Sequence, residues 1–339
     1  MANRFMDSFD HYATTDLTSK WTGFGASAFD FQIDTVNQRT GRACADILRN
    51  GIFKTIDRQS TWIMGAAVKW QGFGGGFQLI DIGNVQVQLL IQSDGTFAAF
   101  RGSLPGQVLL GQSDPSAAVT TNRYFYLEWK VLIDSSVGTV EVHLNGQTIL
   151  NLTGVNTQAT ANSTADVISL IGPGGGTIMY VDDLYVNDGT GTLNNDFWGD
   201  TQIGLIIPVS DGDFSDFTAT GGGAHFSQVN EIPPDGDTTY VSSATIGNID
   251  TYNFQQVDPA RPIKAIQTNI FARKNDEGNR ALSVVTRQGG NNFIADSTGR
   301  FVNLTYIDYL NQFDTNPSTG IAWTPAEINA GQWGVKVIA

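Results

Sequence analysis

The chain has 339 residues, with 19 lysines and arginines against 33 aspartates and glutamates, and a formal net charge of −14 at pH 7. Hydrophobic residues make up 41% and charged residues 15%, enough apolar surface for a packed core and too few charges for a disordered chain. The acidity excludes general nucleic-acid binding, because phosphate neutralisation needs a basic surface.

The first ten residues lack the basic and apolar regions of a secretory signal. No run approaches the 18 or so apolar residues that span a bilayer. The expectation is a product made in the cytoplasm without a signal peptide and without membrane insertion. Cys44 is the only cysteine, so no internal disulfide forms and the thiol is expected to pack as a small apolar group. Alternation predicts strands at 61–69, 78–82, 85–92 and 96–100. At 124–133 it puts Phe125, Leu127, Trp129, Val131 and Ile133 on one face and Tyr126, Glu128 and Lys130 on the other, a half-buried strand. Residues 139–144 follow the same rule, with His143 outward. Asn145-Gly146 is a strong hairpin signal, since both residues tolerate positive φ, and 147–152 returns. A strand at 177–186 closes this half. The polar stretch 188–195 marks the domain break, giving domains 1–190 and 191–339. The second half reads as strands at 201–207, 239–243, 262–273, 281–287, 301–306 and 333–338. Thr324, Pro325 and Glu327 form a capping box for one short helix, with Gly331 as its stop. The fold class is all-β, tandem antiparallel β-sandwich domains.

Charge is unevenly spread. No lysine or arginine occurs between Lys130 and Arg261, an interval that holds sixteen acids and therefore the whole acidic surplus. Basic windows flank it, Arg39, Arg42, Arg49, Lys54 and Arg58 on one side and Arg261, Lys264, Arg273, Lys274, Arg280 and Arg287 on the other. They read either as solvated strand edges or as surfaces that dock on acidic faces of neighbouring copies, with Arg39, Arg42, Arg273 and Lys274 at the interface.

Few residues carry chemistry. Asp211, Asp213 and Asp216 bring hard oxygen ligands together in a Gly-containing turn, which suits a structural Ca2+ as well as ordinary Asp-Gly turn chemistry. Asp235 and Asp237 repeat the spacing. Trp70, Phe73 and Phe77 surround a Gly-rich loop, and read either as a stacking surface for sugar rings or as core. Glycoside hydrolysis needs paired carboxylates, yet none of the five glutamates has an acid two positions later. Asp182 and Asp183 are adjacent, hence expected on opposite faces of their strand. No Gly-x-Ser-x-Gly elbow and no phosphate-binding Gly-Lys-Ser/Thr occurs. The residues indicate no enzyme and no cofactor other than the Ca2+ considered above.

Three features resemble the laminin-G/concanavalin-like sandwich. They are Asp7-Ser-Phe-Asp10 at the start, the Trp129 strand leading to Leu144-Asn145-Gly146, and the closing Tyr180-Val-Asp-Asp-Leu-Tyr-Val186. That resemblance implies a jelly-roll first domain with its first and last strands side by side. The whole chain also resembles virion structural proteins of tailed bacteriophages. The stretches are Phe9-Asp-His-Tyr-Ala13, Val181-Asp-Asp-Leu-Tyr-Val-Asn-Asp-Gly189, Asn195-Asp-Phe-Trp-Gly-Asp200, Pro233-Pro-Asp-Gly-Asp-Thr-Thr-Tyr-Val241, Trp323-Thr-Pro-Ala-Glu-Ile-Asn329 and Gly334-Val-Lys-Val337. This implies a non-enzymatic minor tail or surface virion protein, on the tail, the baseplate or the particle surface, made in the host bacterium. It would work through interfaces with other virion proteins and with copies of itself in a homo-oligomer. Two alternatives stay open: a module that binds a host-surface glycan through loops of the first sandwich, and a capsid decoration or head-fibre protein.

Overall fold

Alternation delivers most of the expected strands, and their pairing is antiparallel. The computed structural model describes residues 2–25 and 30–339, in two units, Met1–Gly204 and Leu205–Ala339. In the first unit the strands are β1 (Asn3–Asp7), β2 (Gly23–Phe24), β3 (Phe31–Asp34), β4 (Cys44–Ile47), β5 (Ile52–Gln59), β6 (Thr61–Trp70), β7 (Gly76–Asp81) and β8 (Asn84–Ile91). They continue with β9 (Phe97–Arg101), β10 (Val108–Gln112), β11 (Phe125–Leu132), β12 (Gly138–Leu144), β13 (Gln147–Val155), β14 (Ala165–Ile171) and β15 (Met179–Asp188). One sheet runs β13-β12-β11-β6-β15-β4-β3, with β1 also on β15; the other runs β10-β9-β8-β7-β14-β5-β2. The first and last strands are therefore neighbours, as the resemblance implies.

The core lies between these sheets. On β6 and β11, Trp62, Met64, Trp70, Leu127, Trp129 and Val131 are buried on the inward face, and Trp70 meets Phe97 of the other sheet with ring centroids 5.9 Å apart. Each such side chain contributes about 1.5–3 kcal/mol by leaving water. Asn145 and Gly146 take φ of 49° and 77°, the left-handed pair that a two-residue hairpin needs. The opening Asp7 is structural: its carboxylate is buried and accepts from Lys20 Nζ at 3.0 Å, Trp21 Nε1 at 2.8 Å and the Tyr12 hydroxyl at 2.8 Å.

Two expectations change here. Residues 201–207 form no strand, and the stretch after β15 up to Gly204 belongs to the first unit, whereas the break was expected at 188–195. It stays because it packs: Trp198 stacks on Tyr185 at 4.4 Å, and the Ile203 N–H donates to Asp183 at 2.8 Å. Nor is β11 half-buried. Tyr126 and Glu128 are 2% and 1% exposed, because chain folds over the face they occupy.

In the second unit the strands are β16 (Pro208–Ser215), β17 (Thr218–Ala219), β18 (Val241–Ser242), β19 (Ile249–Phe254) and β20 (Ile266–Ala272), then β21 (Ala281–Gln288), β22 (Asn291–Ile294), β23 (Arg300–Phe301), β24 (Ile307–Phe313) and β25 (Gln332–Val337). The sheet β16-β19-β25-β21-β22, with β23 on β21, is accompanied by the ribbon β20-β24 and the pair β17-β18. Ile266 and Phe313 of the ribbon pack on a core of Trp323, Ile328 and Trp333. The expected strand at 301–306 survives only as Arg300–Phe301, and the next strand begins at Ile307. The helix Pro325–Ala330 has both capping-box bonds between Thr324 and Glu327.

Candidate functional site

The three aspartates considered for Ca2+ do not converge. Asp211 accepts the Phe226 N–H at 2.7 Å, Asp213 pairs with Arg287 at 2.6 Å, and Asp216 accepts the Ile249 N–H at 3.0 Å. Each carboxylate is spent on a different neighbour, and among the described residues no group of three potential ligands forms. Asp235 closes its own turn onto Thr239, and Asp237 binds Arg273. The Gly-rich-loop aromatics fare similarly: Trp70 and Phe77 are core residues with 1% and 0% exposure, so they offer no sugar-stacking surface, and only Phe73 is half-buried.

The basic windows turn inward onto the acidic interval. Arg39 pairs with Asp183 and Asp200, Arg58 with Asp166, Arg273 with Asp237 and Arg287 with Asp213, and Arg4, outside the windows, pairs with Asp188. Lys274 donates to the Gly278 carbonyl, and Arg42 to that of Asp10. Charges separated along the sequence meet within each unit, so Arg39, Arg42, Arg273 and Lys274, which read from sequence either as solvated strand edges or as docking surfaces, each have a partner inside their own unit. His143, expected outward, lies against Phe197 at 4.1 Å.

Register exposes a different constellation, on the face of the first sheet away from the core. Tyr180 of β15 stands opposite Lys69 of β6 and Asp46 of β4, and Asp46 stands opposite Gln32 of β3. Tyr124, one residue before β11, continues the row on the far side of Lys69, since Phe125 is opposite Val68. Five side chains thus form a line across the strands, Tyr124–Lys69–Tyr180–Asp46–Gln32, about 19 Å long at ~4.8 Å per strand. Lys69 Nζ lies 5.0 Å from the Tyr124 ring centroid and 4.5 Å from that of Tyr180. It donates to the side-chain and main-chain oxygens of Asn37 at 2.9 and 3.3 Å. The Gln71 amide donates to the Tyr180 hydroxyl at 2.7 Å.

Asp46 is the exception in this row. It is 8% exposed, and its buried Oδ1 has no hydrogen-bond partner. Burial, then the charge of Asp34, pushes its carboxyl up to about 6. Asp34 itself is occupied: Oδ1 accepts the N–H groups of Val36 and Asn37 and Oδ2 the Asn37 amide. Burial works against its ionisation, but these bonds outweigh it and hold the group low. Beside this row Cys44 is buried, and burial lifts its thiol to about 12, so it behaves as the apolar group expected.

One register further along the sheet the face is covered. Asp183 has φ of 52°, and the β15–β6 register slips between Asp182 and Tyr185, a bulge that cancels the alternation expected for adjacent residues. Both carboxylates consequently engage the same Arg39-Thr40 segment. Asp182 Oδ2 accepts the Arg39 and Thr40 N–H groups at 2.8 and 3.1 Å, and Asp183 accepts the Thr40 hydroxyl at 2.9 Å. Burial, with the Asp183 charge next, raises Asp182 to about 7; burial, opposed by the Ile203 N–H, Thr40 and Arg39, raises Asp183 to about 6. Beyond them Glu128 Oε1 accepts the Tyr185 hydroxyl at 2.5 Å and the Gly199 N–H at 2.8 Å. The second unit carries an open groove of about 390 Å³ edged by Lys274, Arg280, Phe301 and Asn303, but Arg280 is paired with Asp276.

The row residues were not singled out from sequence. The signals available were the one charged residue, a lysine, in the largely apolar β6 and a lone aspartate in β4. Neither says which strands lie side by side.

No family model matches this chain, and no curated protein does. Among solved structures it is similar to the alginate lyase Aly36B, at 13% identity over 55% of this chain and 96% of that one, with a TM-score of 0.41. It is also similar to the galectin LEC-6 of Caenorhabditis elegans, at 12% identity over 42% and 96% and TM-score 0.29. A third is the carbohydrate esterase vb_24B_21 of the Shiga toxin-encoding bacteriophage phi24B, at 13% over 54% and 99% and TM-score 0.35. In fold class the chain is all-β with antiparallel sheets, and its first half is a two-sheet β-sandwich.

Proposed function

We propose that the first unit is a carbohydrate-binding sandwich that holds a glycan without cleaving it, displayed on the particle of a tailed phage. The observation that carries this reading is the transverse row. Sugars offer apolar C–H faces and hydroxyls, and the row sets the half-buried ring of Tyr124 in line with the hydrogen-bonding groups Lys69, Asp46 and Gln32, the mix that orients a ligand, with Tyr180, 3% exposed, as the floor between Lys69 and Asp46. Its length suits a short oligosaccharide laid across the strands. Binding without cleavage is favoured by the carboxylate count: hydrolysis needs two acids flanking a bond, and Asp34 spends both oxygens on its own turn. The particle location rests on the sequence resemblance to tailed-phage virion proteins.

The test is a titration of the full chain against bacterial surface oligosaccharides. One or more should bind, and Tyr124→Ala should weaken that binding about tenfold, the loss expected of an aromatic contact worth ~1.4 kcal/mol. Silence across the panel, or a variant that binds as well as the parent, would sink the reading. Reducing ends released from a bound glycan would overturn the non-enzymatic part, and antibody labelling that misses intact particles would overturn the location.

A second reading has its own observation. Strand β10 is the edge of its sheet and exposes Val108 and Leu109, with Leu104 nearby at 80% exposure. An apolar edge strand suits pairing with another chain, which favours a structural contact within a particle.

A further inference from the structure

The outward row is unevenly satisfied, and the imbalance bears on what it binds. Lys69 is complete, with both Asn37 oxygens and two ring faces around its ammonium. Tyr180 receives the Gln71 amide. The buried Oδ1 of Asp46 has no hydrogen-bond partner, although the residue is more than nine-tenths buried and has a second carboxylate, Asp34, diagonal to it across the β3–β4 pair. A carboxylate so placed lacks both hydrogen-bond donors and positive charge.

An acidic ligand would add a further negative charge beside Asp34 and Asp46, in a chain already at −14, and would be repelled. A calcium ion needs six or more oxygens, while Asp34 is committed to its turn and no third ligand joins among the described residues. A hydroxyl would satisfy the geometry of Asp46 and not its charge. A protonated amine satisfies both, and charge-assisted bonds are roughly twice as strong as neutral ones. Lys69 stands two strands away, about 10 Å, near the screening length at physiological salt. Its own charge therefore opposes such a ligand only weakly.

Resting on the glycan reading above, we infer that this row selects an amino sugar, a glycan whose free ammonium seats against Asp46 between Tyr180 and Gln32 while its rings follow the line towards Tyr124. Uronate-bearing polymers are the class it disfavours.

The experiment is a calorimetric titration of the full chain with three oligomers of equal length: glucosamine with free amines, its N-acetylated counterpart and galacturonate. The amine form should bind roughly tenfold tighter than the acetylated one, with galacturonate weakest. Asp46→Asn should erase the amine preference, so that the amine and acetylated oligomers bind alike. Because that variant could fold poorly, the unmodified chain supplies an independent readout: its amine preference should shrink as salt rises. Equal binding of amine and acetylated forms, tighter binding of galacturonate, or a preference indifferent to salt would overturn the amino-sugar assignment and leave the glycan reading standing. Failure of all three oligomers to bind folded protein would remove both.

Discussion

The outward face of the first sheet holds two stretches that share strands β6 and β15, and they differ in how their polar groups are satisfied. In the covered stretch, Ala67 and Gly65 of β6 stand between Tyr126, Glu128, Asp182 and Tyr185, and the segment 198–203 and the Arg39-Thr40 segment supply donors to the acids there. In the open stretch the same strand presents Lys69, and Asp46 on β4 is left without a donor. Small residues under the cover make room for chain to lie on the sheet. Where the side chains are long, they themselves cover the face, with Tyr180 and Asp46 buried and Gln32 exposed at the end of the row. Buried polar groups are normally partnered; each covered acid receives donors on at least one oxygen, Glu128 on Oε1 and not on Oε2, whereas the buried Oδ1 of Asp46 has no partner, which makes Asp46 the better mark of a ligand.

The largest expected effect tests whether that cover depends on the small residues beneath it. A Cβ at Gly65 would sit 2.2 Å from Cε1 of the Tyr185 ring, so Gly65→Val must push the ring off Glu128 and Trp198. The loss should be about 3 kcal/mol, the sum of overpacking and an abandoned buried carboxylate. Urea unfolding reads it. Gln32→Ala in the open stretch should cost less than about 0.5 kcal/mol, as exposed substitutions do. Comparable losses in the two variants would break the distinction.

A smaller effect sharpens it by pH. Asp182 and Asp183 hold their protons to about 7 and about 6 in the folded chain, against about 3.9 when unfolded. Between those values the folded state binds more protons, so the stability this pair provides is full in acid and is lost as pH rises through 6 to 7. Stability should therefore fall from pH 4 to pH 7. His11 acts in the opposite sense, since burial and then Lys20 depress it to about 3 and its contribution grows as pH rises towards 6.5. The readout is therefore the difference between the parent and Asp182→Asn, whose urea midpoint should show a flatter decline from acid to neutral pH. Identical slopes would mean that Asp182 does not carry a proton through this range.

Much of the fold was legible in the chain because its causes are local. The face assignments of Leu127, Trp129 and Val131, the Asn145-Gly146 turn and the Thr324 cap each depend on residues within one element. The site was not legible, because its causes are pairings between distant strands. Tyr126 and Glu128 looked solvated since the chain that covers them lies some seventy residues later in sequence. Asp182 and Asp183 looked opposed since alternation assumes an unbroken strand, and the bulge that aligns them announces itself only through an aspartate that tolerates positive φ. The acidic interval holds the whole acidic surplus in sequence, and its neutralising partners, Arg4, Arg39, Arg58, Arg273 and Arg287, lie outside it. A row of five residues from separate strands requires the register of every pair between them.

The smallest effect decides whether the two stretches act independently. Ligand hydroxyls donate best to an ionised Asp46, so binding should lower its pKa from about 6 and affinity should weaken as acid protonates it. A neutral oligomer such as N-acetylglucosamine isolates this group, because the ligand does not titrate there. If only the carboxylate form binds, affinity falls about tenfold from pH 7 to pH 5, and Asp46→Asn makes the profile flat. Asp182→Asn changes stability against pH yet should leave the binding midpoint where it is, since Asp182 spends Oδ2 on Arg39 and Thr40. A binding midpoint that moved with Asp182 and ignored Asp46 would show that the covering segment, and not the open carboxyl, controls access to the row.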